Sequence, residues 1–244
     1  MNRLAQAAVL FLLGATLLHA GVTDLYLRYV KAGLQPLLLA SGAVLMATAL
    51  ATAWYERGRT HDRHTPHQAP EGQAAHREPR VSWLLLLPLL ALILVAPPAL
   101  GSYSATRTGT ALQEPPAYAA LPAADPLRLS VVDYASRAAY DHGRTLTGRR
   151  VEITGFLALD ADGTPYLVRM ALNCCAADAQ PVKIGLTGRI PPVLPADTWL
   201  RVSGVYTPRL TRDPVNAGPI PWFEVTTATP TKEPRDPYDE SWNN

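Results

Sequence analysis

Cysteine is nearly absent from this chain: two occur in 244 residues, and they are adjacent, Cys174 and Cys175. A disulfide framework spreads its cysteines to close loops, and a zinc finger spaces them by about two to four residues, so neither architecture is available. An excess of positive charge is also missing. Lysine and arginine total 22 against 20 acidic residues, and residues 101–244 carry fourteen basic and fifteen acidic side chains. That half has no electrostatic footprint for nucleic acid. No serine–histidine–aspartate pattern or carboxylate pair stands out for hydrolysis, which points away from an enzyme. "DADG" at 160–163 opens like a calcium loop but lacks the downstream ligands, and reads as a turn.

Charge is absent from three long stretches, residues 4–23, 32–55 and 81–104. About 20 apolar residues of helix cross a bilayer, so each stretch is long enough to span. A signal peptide competes for the first, because Arg3 precedes an apolar run ending in small residues. The reading is a membrane domain over 1–104 with spans at about 4–23, 32–55 and 81–101. Between the second and third runs stand Arg57, Arg59, Arg63, Arg77 and Arg80, against Arg28 and Lys31 between the first and second. The positive-inside rule then places the N-terminus and the 56–80 linker in the cytoplasm. Three spans put the C-terminal domain outside, in a multi-pass protein of the cell membrane. Ala43, Ala47 and Ala51 form a stripe that permits close helix packing, or reflect only an alanine-rich composition. The linker is polar and punctuated by proline, and is expected to be disordered. Its His61, His64 and His67 read as a loose metal tether or as plain solvated chain.

Residues 105–126 are rich in proline and alanine and read as an extended stalk. Beyond them, Leu129, Val132, Ala135, Ser136 and Ala139 fall on one helical stripe, with Gly143 as its stop. Five strand-like runs follow at 149–159, 165–172, 181–186, 198–207 and 221–229, the first two joined by the 160–164 turn. Five short strands after one helix suit a small OB-like β-barrel over 127–230, with 231–244 as a polar tail. Phe156, Tyr166, Trp199, Tyr206, Trp222 and Phe223 could stack on bases, but in a neutral external domain they read as core and rim.

The cysteines sit between the second and third of these strands. Asn173 is a good N-cap and Pro181 a stop, so a single helical turn would place Cys174 and Cys175 at its first positions, where the helix dipole lowers a thiol pKa. Asp178, four residues after Cys174, would share that face. Two thiolates and a carboxylate would converge on one soft cation such as zinc, cadmium or trivalent arsenic, with a fourth ligand from water, His142 or a partner. Two other readings stay open. The pair could form a vicinal disulfide, strained because adjacent Cα atoms lie about 3.8 Å apart, or both cysteines could simply pack a turn.

Three stretches together carry a family resemblance: "VAPPALGSYSA" at the end of the third run, "YLVRMALNCCAADAQPVKIGL" around the cysteines, and "WLRVSGVY". The chain resembles, over nearly its whole length, the YcgQ-like "putative permease subunit" family, a former domain of unknown function. Its most specific parts are "CCAADA" at 174–179 and "APPALG" at 96–101. The resemblance implies a polytopic permease as partner, in a group that includes exporters of organic arsenicals, with links to zinc homeostasis. It brings no catalytic residues. The expected function is therefore a non-enzymatic permease subunit handling or gating a soft metal through Cys174, Cys175 and Asp178. A membrane-tethered thiol redox protein and a structural assembly subunit are the alternatives.

Overall fold

The computed structural model describes residues 3–61, 87, 90, 99–191 and 193–240. Most of the 81–101 span, most of the histidine linker and residues 241–244 lie outside the described residues, so the expectation of a third membrane helix is not addressed by them. The chain divides into two compact units, residues 1–26 with 33–98, and residues 27–32 with 99–244.

The first unit holds α1 (Arg3–Val22) and α2 (Gln35–His61), two helices long and apolar enough to cross a membrane. Backbone groups in an apolar medium must be paired within the segment. The hydroxyls obey the same constraint: Thr16, Ser41, Thr48 and Thr52 each donate to the carbonyl four residues earlier, at 2.7–2.8 Å. The helices approach closely at Gly14 and Gly42, where a Cβ on Gly14 would stand 2.9 Å from the Gly42 carbonyl oxygen. Ala5, Ala7 and Ala49 are buried in the same packing. Ala43, Ala47 and Ala51 are exposed, so the small-residue contact uses Gly42 and Ala49 and not the alanine stripe. Residues 56–61 continue α2, so the linker begins as helix and not as disordered chain.

In the second unit, five strands close a mixed barrel: β2 (Val151–Leu159), β3 (Pro165–Leu172), β4 (Gln180–Gly188), β5 (Trp199–Arg212) and β6 (Pro219–Pro230). Going round, β2 pairs with β3, β3 with β4, β4 with β6, β6 with β5 and β5 again with β2, all antiparallel except β4–β6. Period-two alternation explains the filling. Val151, Ile153, Leu157, Leu167, Ile184, Leu200, Val202 and Phe223 are buried in one cluster. The helix α4 (Val131–Ala139) adds Val131, Val132, Tyr134, Ala135 and Ala138 to that cluster. Ser130 caps α4 by accepting from the Asp133 amide at 3.0 Å, the interaction its hydroxyl is suited to. Tyr134 meets Phe223 edge-on at 5.2 Å, and its hydroxyl donates to the Trp222 carbonyl at 2.7 Å. The helix ends at Ala139 with Tyr140 as its C-cap, short of the expected stop; Gly143 lies in the loop beyond, where its φ of +66° favours glycine and the Tyr206 ring lies where a side chain would go.

Two segments read as stalk and tail are built into this unit. The stretch Ser102–Arg107 is a short helix, α3, and Tyr238–Glu240 is a strand, β7, parallel to β3. Both cover the outer face of β2 and β3: Ala105 and Tyr238 are buried in one cluster with Phe156, Ala158, Val168, Met170 and Leu172. Those strands are thus apolar on both faces: Phe156 lies on the face opposite Val151, Ile153 and Leu157, and α3 and β7 bury it there. A three-residue strand β1 (Leu127–Leu129), parallel to β2, stands where the helical stripe was expected to begin.

An ion pair fastens the 108–110 stretch. Lys183 on β4 reaches Asp213 at 2.7 Å and the Thr108 carbonyl at 2.9 Å, and Asp213 accepts from the amides of Thr110 and Val215 at 3.0 and 2.8 Å. Both side chains are buried. Breaking such a pair from one side leaves an uncompensated charge, at a cost of about 3–5 kcal/mol, whereas an apolar replacement of both partners is close to neutral. Asp213→Ala should therefore lower the thermal unfolding midpoint sharply, and the Lys183→Met/Asp213→Leu double variant should recover the part of that loss due to the stranded Lys183 charge, but not the part due to the Thr110 and Val215 amides left without their acceptor. Equal midpoints for the two variants would contradict this account.

Candidate metal centre

After β3 the chain turns at Asn173 and Cys174, and Ala176–Asp178 forms one 3-10 turn. Cys175 is its N-cap, extended at φ −154° and ψ 170°, and makes no side-chain cap bond. The cysteines therefore precede the turn and do not occupy its first helical positions. The cause lies in Asp178, whose carboxylate folds back and accepts from the amides of Asn173 at 3.1 Å and Cys174 at 2.9 Å. This local side-chain bonding competes with helix formation and wins.

Cys174 is exposed and Cys175 half-exposed, and neither is in a disulfide. The ligand atoms of Cys174, Cys175 and Asp178 all lie within 4.8 Å of one another, a group that could hold a metal ion. His142 is exposed and is not a member of that group.

Thiol acidity runs opposite to the dipole argument. Cys174 is pushed up to about 12, first by its hydrogen bond to the Asp178 carboxylate, then by its hydrogen bond to Cys175, with burial and the neighbouring negative charges adding to the shift. Burial pushes Asp178 up, but the hydrogen bonds from the Cys174 thiol and from the Cys174, Asn173 and Cys175 amides outweigh it and hold the carboxyl below its ordinary value. At neutral pH the pair is a protonated thiol donating to a carboxylate.

The turn has a second support that no local pattern announced. Residues 29–31, from the loop between the two apolar helices, run antiparallel to it, with Val30 bridging Cys175. The Lys31 amide donates to the Cys174 carbonyl at 3.2 Å, and the Ala176 amide donates to the Tyr29 carbonyl at 2.7 Å. Nearby, the Tyr238 hydroxyl donates to the Arg28 carbonyl at 3.2 Å and Lys31 pairs with Glu240 at 3.2 Å. The backbone of the cysteine turn is thus held on both flanks while the Cys174 side chain stays accessible.

The stretch from the segment before β1 to strand β7 is the part of this chain that matches a known family. Residues 121–239, just under half of the chain, match the family model of the DUF1980 C-terminal domain. The match spans the barrel, α4, the cysteine turn and the first two residues of β7. No curated protein and no solved structure matches the chain. Cys174, Cys175 and Asp178 lie within the matched stretch, and the 29–31 segment that flanks them lies outside it.

Removing the acceptor tests the thiol–carboxylate pair. In Asp178→Asn the Cys174 pKa should fall towards the ordinary thiol range near ~8.5. More thiolate outweighs its lower intrinsic nucleophilicity, so alkylation at pH ~8 should speed up at least about tenfold. Iodoacetamide labelling, with Cys174 resolved from Cys175 by fragment mass spectrometry, reads this out. An unchanged or slower rate would mean that Asp178 does not hold the proton.

Proposed function

We propose that this protein is a non-enzymatic, membrane-anchored accessory subunit that receives and hands on a soft metal ion, such as zinc, beside a permease partner. The observation that carries the reading is the convergence of two thiols and one carboxylate within 4.8 Å on an accessible turn. Thiolate donors select soft cations, with zinc, cadmium and trivalent arsenic as the candidates. Three protein ligands leave a tetrahedral site incomplete, which suits exchange better than a permanent structural ion. The fourth ligand is then water or a group on the partner.

The protonated state of Cys174 bears on mechanism. Loading an ion requires the thiol proton to leave, so binding releases protons and tightens as pH rises. Asp178 is placed to take part in both states, as acceptor of the thiol proton and then as an oxygen ligand. A thiol held in its protonated form is a poor nucleophile, which weighs against the redox alternative.

The wider setting is part of the proposal. The strand order round the ring, with the third strand parallel to the fifth, supports an OB-like barrel. The charge-free 81–101 run supports a third span, and the arginine-rich linker supports a cytoplasmic N-terminus with the barrel outside.

The test uses the full-length protein, reduced and in detergent, titrated with zinc and with trivalent arsenic beside a Cys174→Ser/Cys175→Ser variant. The expected result is one high-affinity zinc per chain, lost in the variant, with affinity rising between pH ~6 and ~8 as thiol protons are released. Equal zinc binding by wild type and variant would remove metal handling at this turn.

A further inference from the structure

Arg169 on β3 is more than nine-tenths buried, and its five donors are unevenly used. Nε donates to Asp239 at 3.0 Å, and Nη2 donates to the carbonyls of Asp236 and Tyr238 at 3.1 and 2.9 Å. Nη1 is buried and has no hydrogen-bond partner among the described residues. A buried charged donor left unsatisfied costs more than the roughly 1–3 kcal/mol of a neutral one, so this atom calls for an acceptor. Arg169 lines a cleft of about 420 Å³. The Nε–Nη2 edge is committed to β7 and its approach, and Nη1 is sealed from solvent, so a ligand in the cleft reaches it only when the side chains over it shift.

The remaining chemistry of the cleft is that of an anion site. Arg128, Arg201 and Lys232 join Arg169 in lining it, against Glu152 and Asp239, an excess of two positive charges. Glu152 is already engaged, 3.1 Å from Arg128 and 3.9 Å from Arg201. Asp239 shows what this corner favours, since its other oxygen accepts from the Val132 amide at 3.3 Å, in the first turn of α4. An anion from the protein's own β7 thus already uses the positive end of that helix. Ser130, the N-cap residue, lines the cleft as well.

We propose that this cleft is a second ligand site, separate from the cysteine turn, that takes a phosphate group on the rim cations Arg128, Arg201 and Lys232, its entry displacing the cover over Arg169 Nη1 and giving that atom its acceptor. A doubly charged oxyanion matches the charge excess and accepts from several donors at once, which guanidinium groups recognise well. The volume admits more than the phosphate itself, so the group is carried either by a soluble phosphate ester or by a lipid headgroup.

The probe is inorganic phosphate, titrated calorimetrically at low salt into the full-length protein in neutral detergent. Arg169 also holds β7, so the informative variant is at the rim: Arg201→Gln/Lys232→Gln, with Arg209→Gln, which does not line the cleft, as control. Saturable binding of one phosphate per chain, weakened about tenfold or more by the rim variant and unchanged by the control, is expected. No saturable binding, or equal weakening by the control, would overturn the site. Repeating the titration in bilayer discs identifies the source. Competition by phosphatidylglycerol but not by phosphatidylcholine assigns a lipid headgroup, and indifference to both assigns a soluble ester.

Discussion

The barrel depends on one shared strand. β2 pairs with β5 along residues 151–156 and with β3 along 156–159, so that Phe156 is opposite Trp199 on one side and Val168 on the other. A sheet that closes on itself has no free edge inside the ring, and β2 provides that closure. The price of closing so few strands is strong coiling, and β5 supplies it with register shifts at Ser203/Gly204 and Thr207/Leu210. At Gly204 the carbonyl of Glu224 occupies the space a Cβ would need. From this closure follows the placing of everything else: α4 fills the interior, and α3 with β7 covers the outer face that β2 and β3 leave apolar.

Between β3 and β4 the same constraint produces the candidate metal centre. The two strands are antiparallel neighbours up to the Ala171–Gln180 pair, so the chain between them must reverse within a few residues. Asp178 organises that reversal with bonds to two amides, and its carboxylate is thereby fixed beside both thiols. Structure and candidate chemistry share one side chain. A metal held there would compete with the hydrogen bonds that shape the turn, and loading would then be coupled to the conformation of the loop.

Much of the barrel was legible because its strands obey period two and are separated by recognisable turns, such as 160–164. The site group was legible from residue type: two cysteines and an aspartate within five positions have few alternatives. The form of the turn was not, since Asn173 looks like a helix cap unless one knows that Asp178 reaches back to the same amides. β1 and β7 were missed because three residues carry no period, and each is recruited by a parallel neighbour distant in sequence. The 29–31 contact was hidden for a related reason: it is made by backbone atoms, and side-chain patterns do not report it. Arg169 stood unremarked in "PYLVRMAL" because a lone cation in an apolar strand signals nothing until its partner, Asp239, is placed.

The bridge between Val30 and Cys175 joins positions more than 140 residues apart, and this has a consequence for the order of assembly. At about 5–20 residues per second, synthesis takes roughly ten seconds to travel from one to the other. Throughout that interval the 29–31 segment lacks the cysteine turn to meet, while α1 before it is already made and α2 after it is completed early. The cysteine turn therefore acquires its second flank only once β2, β3 and the turn itself have been made, by docking of an older segment onto a newer one. Maturation of the thiol pair is in this sense a late event in the life of the chain.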